Sequence, residues 1–223
     1  MIRFHGVSKY FPTKRGRHYV VRDVSLEIPD HVNVGVLGRN GAGKTTLMRL
    51  IAGVDIPNKG RIERHGRLSW PMGIAQGMQG AMTGRENARF VCRIQGIARD
   101  AIPEKLDFVR GFAELGDYFD MPVSTYSSGM RARLNFAVSM VVDFDCYIID
   151  ELTAVGDLAF AQKSRKMFKD RRDRASFIKV SHNLKELASD CDAGLLLDRG
   201  TLTYFADIAE AIAAYRTLTR QSA

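Results

Sequence analysis

Apolar and polar positions alternate along two stretches near the start of the chain, Ile2 to Val7 and Tyr19 to Ile28. A basic turn, Pro12-Thr-Lys-Arg-Gly16, lies between them. A period of two interrupted by turn residues predicts a pair of antiparallel strands. Val32 to Leu37 is a short apolar run closed by Gly38, the pattern of a buried strand. From Thr45 to Ala52 the period becomes helical, and Gly53 ends it. Apolar runs at Cys146–Ile149, Phe177–Val180 and Leu195–Leu197 predict three more buried strands, and Ile208 to Leu218 an amphipathic helix. Between about 85 and 142 the pattern is mostly helical, with breaks near Gly96, Pro103 and Pro122. Strands alternating with helices around a helical insertion predict an α/β core.

One segment breaks the pattern. Residues 68–84 carry no charged side chain and hold four glycines and three methionines. The stretch reads as too flexible for a core and too apolar for an idle loop. An exposed apolar surface marks an interface, so this segment is the expected docking surface for a partner.

Composition sets bounds on these elements. The chain has 223 residues, of which 45% are hydrophobic and 26% charged, the balance of a folded domain and not of a disordered tail. Its three cysteines, Cys92, Cys146 and Cys191, are far apart and form no CxxC pair, which points to a reducing compartment. No apolar run approaches the length of a membrane span, and Met1-Ile-Arg-Phe-His5 has no signal-peptide core. The net charge is +8, and much of the excess falls between Lys163 and Arg174, with seven basic and two acidic residues. A solvated helix face accounts for that run, and no nucleic-acid partner is expected.

Three clusters carry chemistry. Gly38-Arg-Asn-Gly-Ala-Gly-Lys-Thr45 has the spacing G-x-x-x-x-G-K-[ST] and stands after a predicted strand and before a predicted helix. Its glycines let backbone N–H groups close around phosphate oxygens, and the helix adds its positive end. Lys44 is placed to reach the β and γ phosphates of a nucleotide and Thr45 to hold Mg²⁺. Cys146-Tyr-Ile-Ile-Asp150-Glu151 is an apolar strand ending in two carboxylates. Asp150 is the expected second Mg²⁺ ligand, and Glu151, on the other side of the pleat, the residue that polarises an attacking water. Val180-Ser181-His182 follows another apolar strand, where His182 is the expected γ-phosphate sensor.

Together with Tyr126-Ser-Ser-Gly-Met130, these residues resemble the ATP-binding subunit of ABC transporters, over essentially the whole chain. The resemblance implies a P-loop NTPase (RecA-like) core with an N-terminal antiparallel β subdomain and an inserted helical subdomain at roughly 85–142, all in one ATP-binding domain over 1–223. It implies ATP and Mg²⁺ as ligands, with Gly38, Asn40, Gly41, Ala42, Gly43, Lys44, Thr45 and Thr46 on the nucleotide. Ser127, Ser128 and Gly129 look like the signature motif, which in the family closes over the ATP of a partner copy in a head-to-tail homodimer. Phe11 lies where the family stacks an aromatic on adenine, with Tyr10 and Tyr19 as alternatives. Gln79, or Gln76, corresponds to the glutamine loop, and Asp157 to the loop that signals between the two sites.

The departures narrow the family further. The signature reads Tyr-Ser-Ser-Gly-Met instead of Leu-Ser-Gly-Gly-Gln, and Leu152 follows the carboxylates where Pro is usual. With Thr83-Gly-Arg-Glu-Asn87 and Thr153-Ala-Val-Gly-Asp157, these variants resemble the subfamily that exports bacterial surface polysaccharides. Gly16-Arg-His-Tyr-Val20, Ser69-Trp-Pro71 and Tyr118-Phe-Asp-Met-Pro122 are similar to its capsular polysaccharide branch. The implied function is ATP hydrolysis that drives capsular polysaccharide export through a membrane-spanning permease subunit, at the cytoplasmic face of the inner membrane, with the polymer met through the permease. Export of O-antigen or teichoic acid and a soluble non-transport ABC ATPase are the alternatives.

Overall fold

The computed structural model describes residues 1–14, 16–72, 78–150, 158–172 and 174–220. The chain divides into two compact units. The first comprises 1–71, 144–151 and 174–223, and the second 72–143 and 152–173.

The first unit holds both sheets. Strands β1 (Ile2–Thr13) and β2 (Gly16–Ile28) form the expected antiparallel pair, and β4 (Lys59–Arg64) adds a third strand beside β1. Five more strands make the second sheet in the order β5-β6-β3-β7-β8: β3 (Val34–Gly38), β5 (Cys146–Asp150), β6 (Ser176–Val180), β7 (Ala193–Asp198) and β8 (Thr201–Phe205). The first four are mutually parallel where paired, and β8 runs antiparallel at the edge.

Alternation along the strands divides the apolar residues between two cores. Val36, Leu195 and Leu197 join a cluster with Phe4, Val20 and Val24 of the small sheet and Leu47, Met48, Leu50 and Ile51 of helix α1 (Lys44–Ile51). Leu37 and Leu196 turn the other way, onto Leu187 of α6 (Leu184–Asp190) and Ile208, Ala211 and Ile212 of α7 (Ile208–Arg220). Helix α1 is therefore gripped between two sheets by apolar packing, although it is only two turns long. A helix of that length does not hold its shape in water by itself. The small sheet and the large one supply the apolar surroundings that fix it.

The second unit carries α2 (Gly84–Ile94), α3 (Ile102–Ala113), α4 (Ser128–Ser139) and α5 (Leu158–Arg172), with two short 3-10 turns between α3 and α4. Phe112, Phe136 and Phe160 pack edge-to-face and stacked at its centre, with centroids 5.6–5.9 Å apart. Pro103, read from sequence as a break, stands in the first turn of α3. Its missing N–H costs nothing there, because first-turn amides have no intrahelical partner. The basic run is partly spent within the same unit. Lys163 reaches Glu114 and the Phe112 carbonyl, and Arg171 reaches Asp143 and the Met140 carbonyl.

The uncharged segment is corrected in part. Ser69 and Met72 are only 1% and 2% exposed, so its first residues are core, not a docking surface. The Ser69 hydroxyl accepts the Ile148 N–H at 2.8 Å and donates to the Trp70 carbonyl at 2.9 Å, fastening the segment to β5. Residues 73–77, Gln76 among them, lie outside the described residues. Replacing Ser69 with Ala strands a buried N–H at the cost of about 1–3 kcal/mol. A fall in melting temperature of several degrees is expected, at ~2–4 °C per kcal/mol for a chain of this size, measured by calorimetry.

Candidate functional site

The phosphate loop grows out of the sheet register. Val36 of β3 pairs with Val180 of β6, and Val180 pairs with Asp150 of β5. The three residues form one row across parallel strands, so all three chains leave the sheet on the same edge. Adjacent strands are ~4.8 Å apart, which puts Asp150 about 10 Å from β3 across that edge. From Val36 the chain runs two residues to Gly38 and turns into α1. From Val180 it runs two residues to His182. The sheet thus brings Lys44, Thr45, Asp150 and His182 to one side of the first unit.

The loop itself is a turn of main chain. The Ala42 N–H donates to the Arg39 carbonyl at 3.1 Å, and Gly43 caps α1 in the left-handed region at φ +100°. A Cβ on Gly43 would lie 2.4 Å from Cγ1 of Val20 on β2, so only glycine fits both the dihedral and the approach. The Lys44 ammonium donates to the Gly38 and Arg39 carbonyls at 2.8 and 3.1 Å and lies folded against the loop. Thr45 is exposed and Asp150 half-buried. A hydroxyl and a carboxylate are hard oxygen donors of the kind that suits Mg²⁺, and a lysine within a turn of main-chain amides suits a polyphosphate. The donor set fits both groups. Asn40 and Gly41 are exposed on the loop, Ala42 is half-buried in it, and Thr46 is half-buried on α1.

Phe11 occupies the neighbouring hairpin. It is 44% exposed and pairs across the strands with His18, two residues before Val20, the residue that Gly43 approaches. Tyr10 and Tyr19 pair with each other on the opposite face, ring centroids 5.2 Å apart, and carry Arg17 and Arg22 over their rings. Of the three aromatics, Phe11 alone is exposed.

Gln79, Ser127, Ser128 and Gly129 belong to the second unit. Ser127 caps α4, its hydroxyl accepting the Met130 N–H, which leaves Ser128 exposed at the helix start and Gly129 half-buried behind it. Gln79 has an exposed side chain on a fixed main chain. The Asn87 side chain accepts the Gln79 N–H at 2.9 Å and donates to the carbonyls of Gln79, Met82 and Thr83. Asn87 is 2% exposed and belongs to the Thr83-Gly-Arg-Glu-Asn87 run. In that run Thr83 and Glu86 form a reciprocal capping box on α2. The sequence signal for Asn87 was present but was read only as a subfamily mark. Glu151 and Asp157 lie outside the described residues.

The cysteines take no part. All three are free, and burial pushes the Cys146 thiol up to about 11, so it carries no thiolate at neutral pH.

The family model described as ABC transporter matches residues 21–154. The polysialic acid transport ATP-binding protein KpsT of Escherichia coli is 46% identical over 217 residues, covering 97% of this chain and 96% of that protein. The capsule polysaccharide export ATP-binding protein CtrD of Neisseria meningitidis serogroup B is 44% identical over 219 residues, covering 98% and 100%. Among solved structures, a dimeric ATP-binding cassette in a post-hydrolysis state with ADP and Pi superposes with a TM-score of 0.77. It covers 92% of this chain and 98% of that one at 16% identity, a likeness of fold.

Replacing Lys44 with Ala removes a charge-assisted contact to phosphate worth about 1.5–3 kcal/mol. ATP affinity is expected to fall roughly 10- to 100-fold, measured by titration with a fluorescent ATP analogue.

Proposed function

The chain belongs to the ABC transporter family as an ATP-binding subunit, and from that premise we propose that it hydrolyses ATP to power export of capsular polysaccharide across the cytoplasmic membrane. The observation that carries this reading is identity of 44–46% along nearly the full length of both chains to ATP-binding proteins named for capsule and polysialic acid transport. The site geometry agrees with the chemistry such a subunit needs.

The reaction is ATP + H₂O → ADP + phosphate. Phosphoryl transfer asks the protein mainly for positioning and charge stabilisation. The loop amides from Asn40 to Thr46 and the Lys44 ammonium bind the β and γ phosphates, and Phe11 stacks on the base. Thr45 and Asp150 hold Mg²⁺, which when bound neutralises charge on the phosphates. Glu151 orients and deprotonates water, and His182 donates to the γ-phosphate. Ser127, Ser128 and Gly129 of a second copy cover the same ATP in a head-to-tail dimer, with Gln79 and Asp157 reporting its state to partners. A membrane-spanning permease supplies the path for the polymer. Among the described residues no helix is long and apolar enough to cross a membrane. As the ATP-binding partner of a permease, the subunit's proposed place is peripheral, on the cytoplasmic side.

Replacing Glu151 with Gln in the native host tests the reading. Surface polymer is expected to disappear while polysaccharide accumulates inside the cell, assayed together by fractionation and sugar analysis. Unchanged surface polymer alongside lost ATPase activity in the purified variant would remove the capsule assignment. Unchanged ATPase activity would remove the role of Glu151.

A further inference from the structure

The turn that carries His182 is tied to one carboxylate through Ser181. The Ser181 hydroxyl donates to Glu186 Oε2 at 2.9 Å. The Asn183 N–H donates to Ser181 Oγ at 3.1 Å, and Asn183 Oδ1 accepts the N–H groups of Lys185 and Glu186 at 3.1 and 3.3 Å as the cap of α6. Both neighbours of His182 are thus held, directly or through one bond, to the first turn of α6. Glu186 is itself held from the strand. Lys179 of β6 donates to Glu186 Oε1 at 2.5 Å and to Asp190 Oδ2 at 2.9 Å, with a side chain only 12% exposed. Burial works against the charged Lys179, but its hydrogen bonds to Glu186 and Asp190 outweigh that and raise the ammonium above its ordinary value, so the anchor stays charged.

The circuit runs strand, lysine, glutamate, serine, turn. Lys179 is part of β6, whose register with β3 and β5 sets the sheet edge. Through Glu186 that register reaches the two residues beside His182. Lys179, Ser181 and Glu186 lie outside the apolar cluster of the first core.

We infer that Glu186 is a positioning residue for His182: with Ser181 and Lys179 it clamps the β6–α6 turn so that the imidazole is presented at the edge where Lys44 and Asp150 stand. This rests on the reading of His182 as the γ-phosphate contact. A clamp of this kind acts on the orientation of one group and not on nucleotide affinity. Misplacing a reacting group by about 1 Å costs up to ~100-fold in rate.

A double-mutant cycle on the purified chain tests it, with kcat and KM for ATP measured for Glu186→Ala, His182→Ala and the double variant. Glu186→Ala is expected to lower kcat about tenfold or more with KM within twofold. In the His182→Ala background the same change is expected to cost less than twofold, because the group it positions is gone. A full tenfold loss in both backgrounds overturns the proposal, since Glu186 then acts elsewhere. Normal kcat in Glu186→Ala beside a crippled His182→Ala also overturns it, and leaves the role of His182 standing. Normal kcat in His182→Ala removes that role and the clamp with it. Ser181→Ala, which cuts the link to the turn but keeps the Lys179 pairs, is expected to show the same non-additivity. It carries the test if Glu186→Ala fails to fold, judged by its melting temperature.

Discussion

Everything at the nucleotide site hangs on the parallel pairing of β3, β5 and β6. In a parallel sheet the strands share a direction, so loops of related purpose must leave from one edge. Here Val36, Val180 and Asp150 share a row, and the loop, the histidine turn and the carboxylate follow within two residues of it. A slip of one residue in β5 would move Asp150 off the row and turn its side chain to the other face. Packing opposes that slip, since on β5 Ile148 belongs to the core around α1 while its neighbours Tyr147 and Ile149 are buried outside that cluster.

That division explains which parts were legible in the sequence. Strands buried on both faces read as apolar runs, which made β3, β5 and β7 visible, and β6 was visible although Lys179 interrupts it. Strands β4 and β8 were not. β4 is Lys-Gly-Arg-Ile-Glu-Arg with only Ile62 buried, and β8 buries only Leu202. Strands with one buried residue give no period to read. Helix α6 has seven residues and buries only Leu187, so apolar spacing missed it, although Asn183 followed by Glu186 is a helix-start signal. The phosphate loop needed no structure to find, because its chemistry is local and its spacing specific. What joins His182 to Glu186, or Gln79 to Asn87, is hydrogen bonding between short polar side chains, which leaves no periodic trace.

The misreading of residues 68–72 has the same root. An uncharged, glycine-rich run looks exposed when its contacts are invisible. Its polar member Ser69 supplies the missing acceptor for Ile148, and Met72 fills core volume, so the run's lack of charge at its start reflects burial.

The departures from the common family motifs in the second unit also have a local physical account. Tyr126 stands where the signature otherwise has Leu, and it is 3% exposed. A buried phenol must place its hydroxyl, and this one donates to the Tyr118 carbonyl. The same oxygen lies 2.5 Å from where a Cβ on Gly84 would be, so glycine at the first position of α2 makes room for it. Thr83 and Glu86 cap that helix, and Asn87 in its first turns holds the main chain of Gln79. One tyrosine therefore couples the residue before Ser127 to the helix start that fixes the Gln79 loop. A leucine would fill the space without the hydroxyl, and Phe119 would still crowd a Cβ at Gly84 at 3.1–3.2 Å. The Tyr126 signature and the Thr83-Gly-Arg-Glu-Asn87 run thus meet in one packing arrangement.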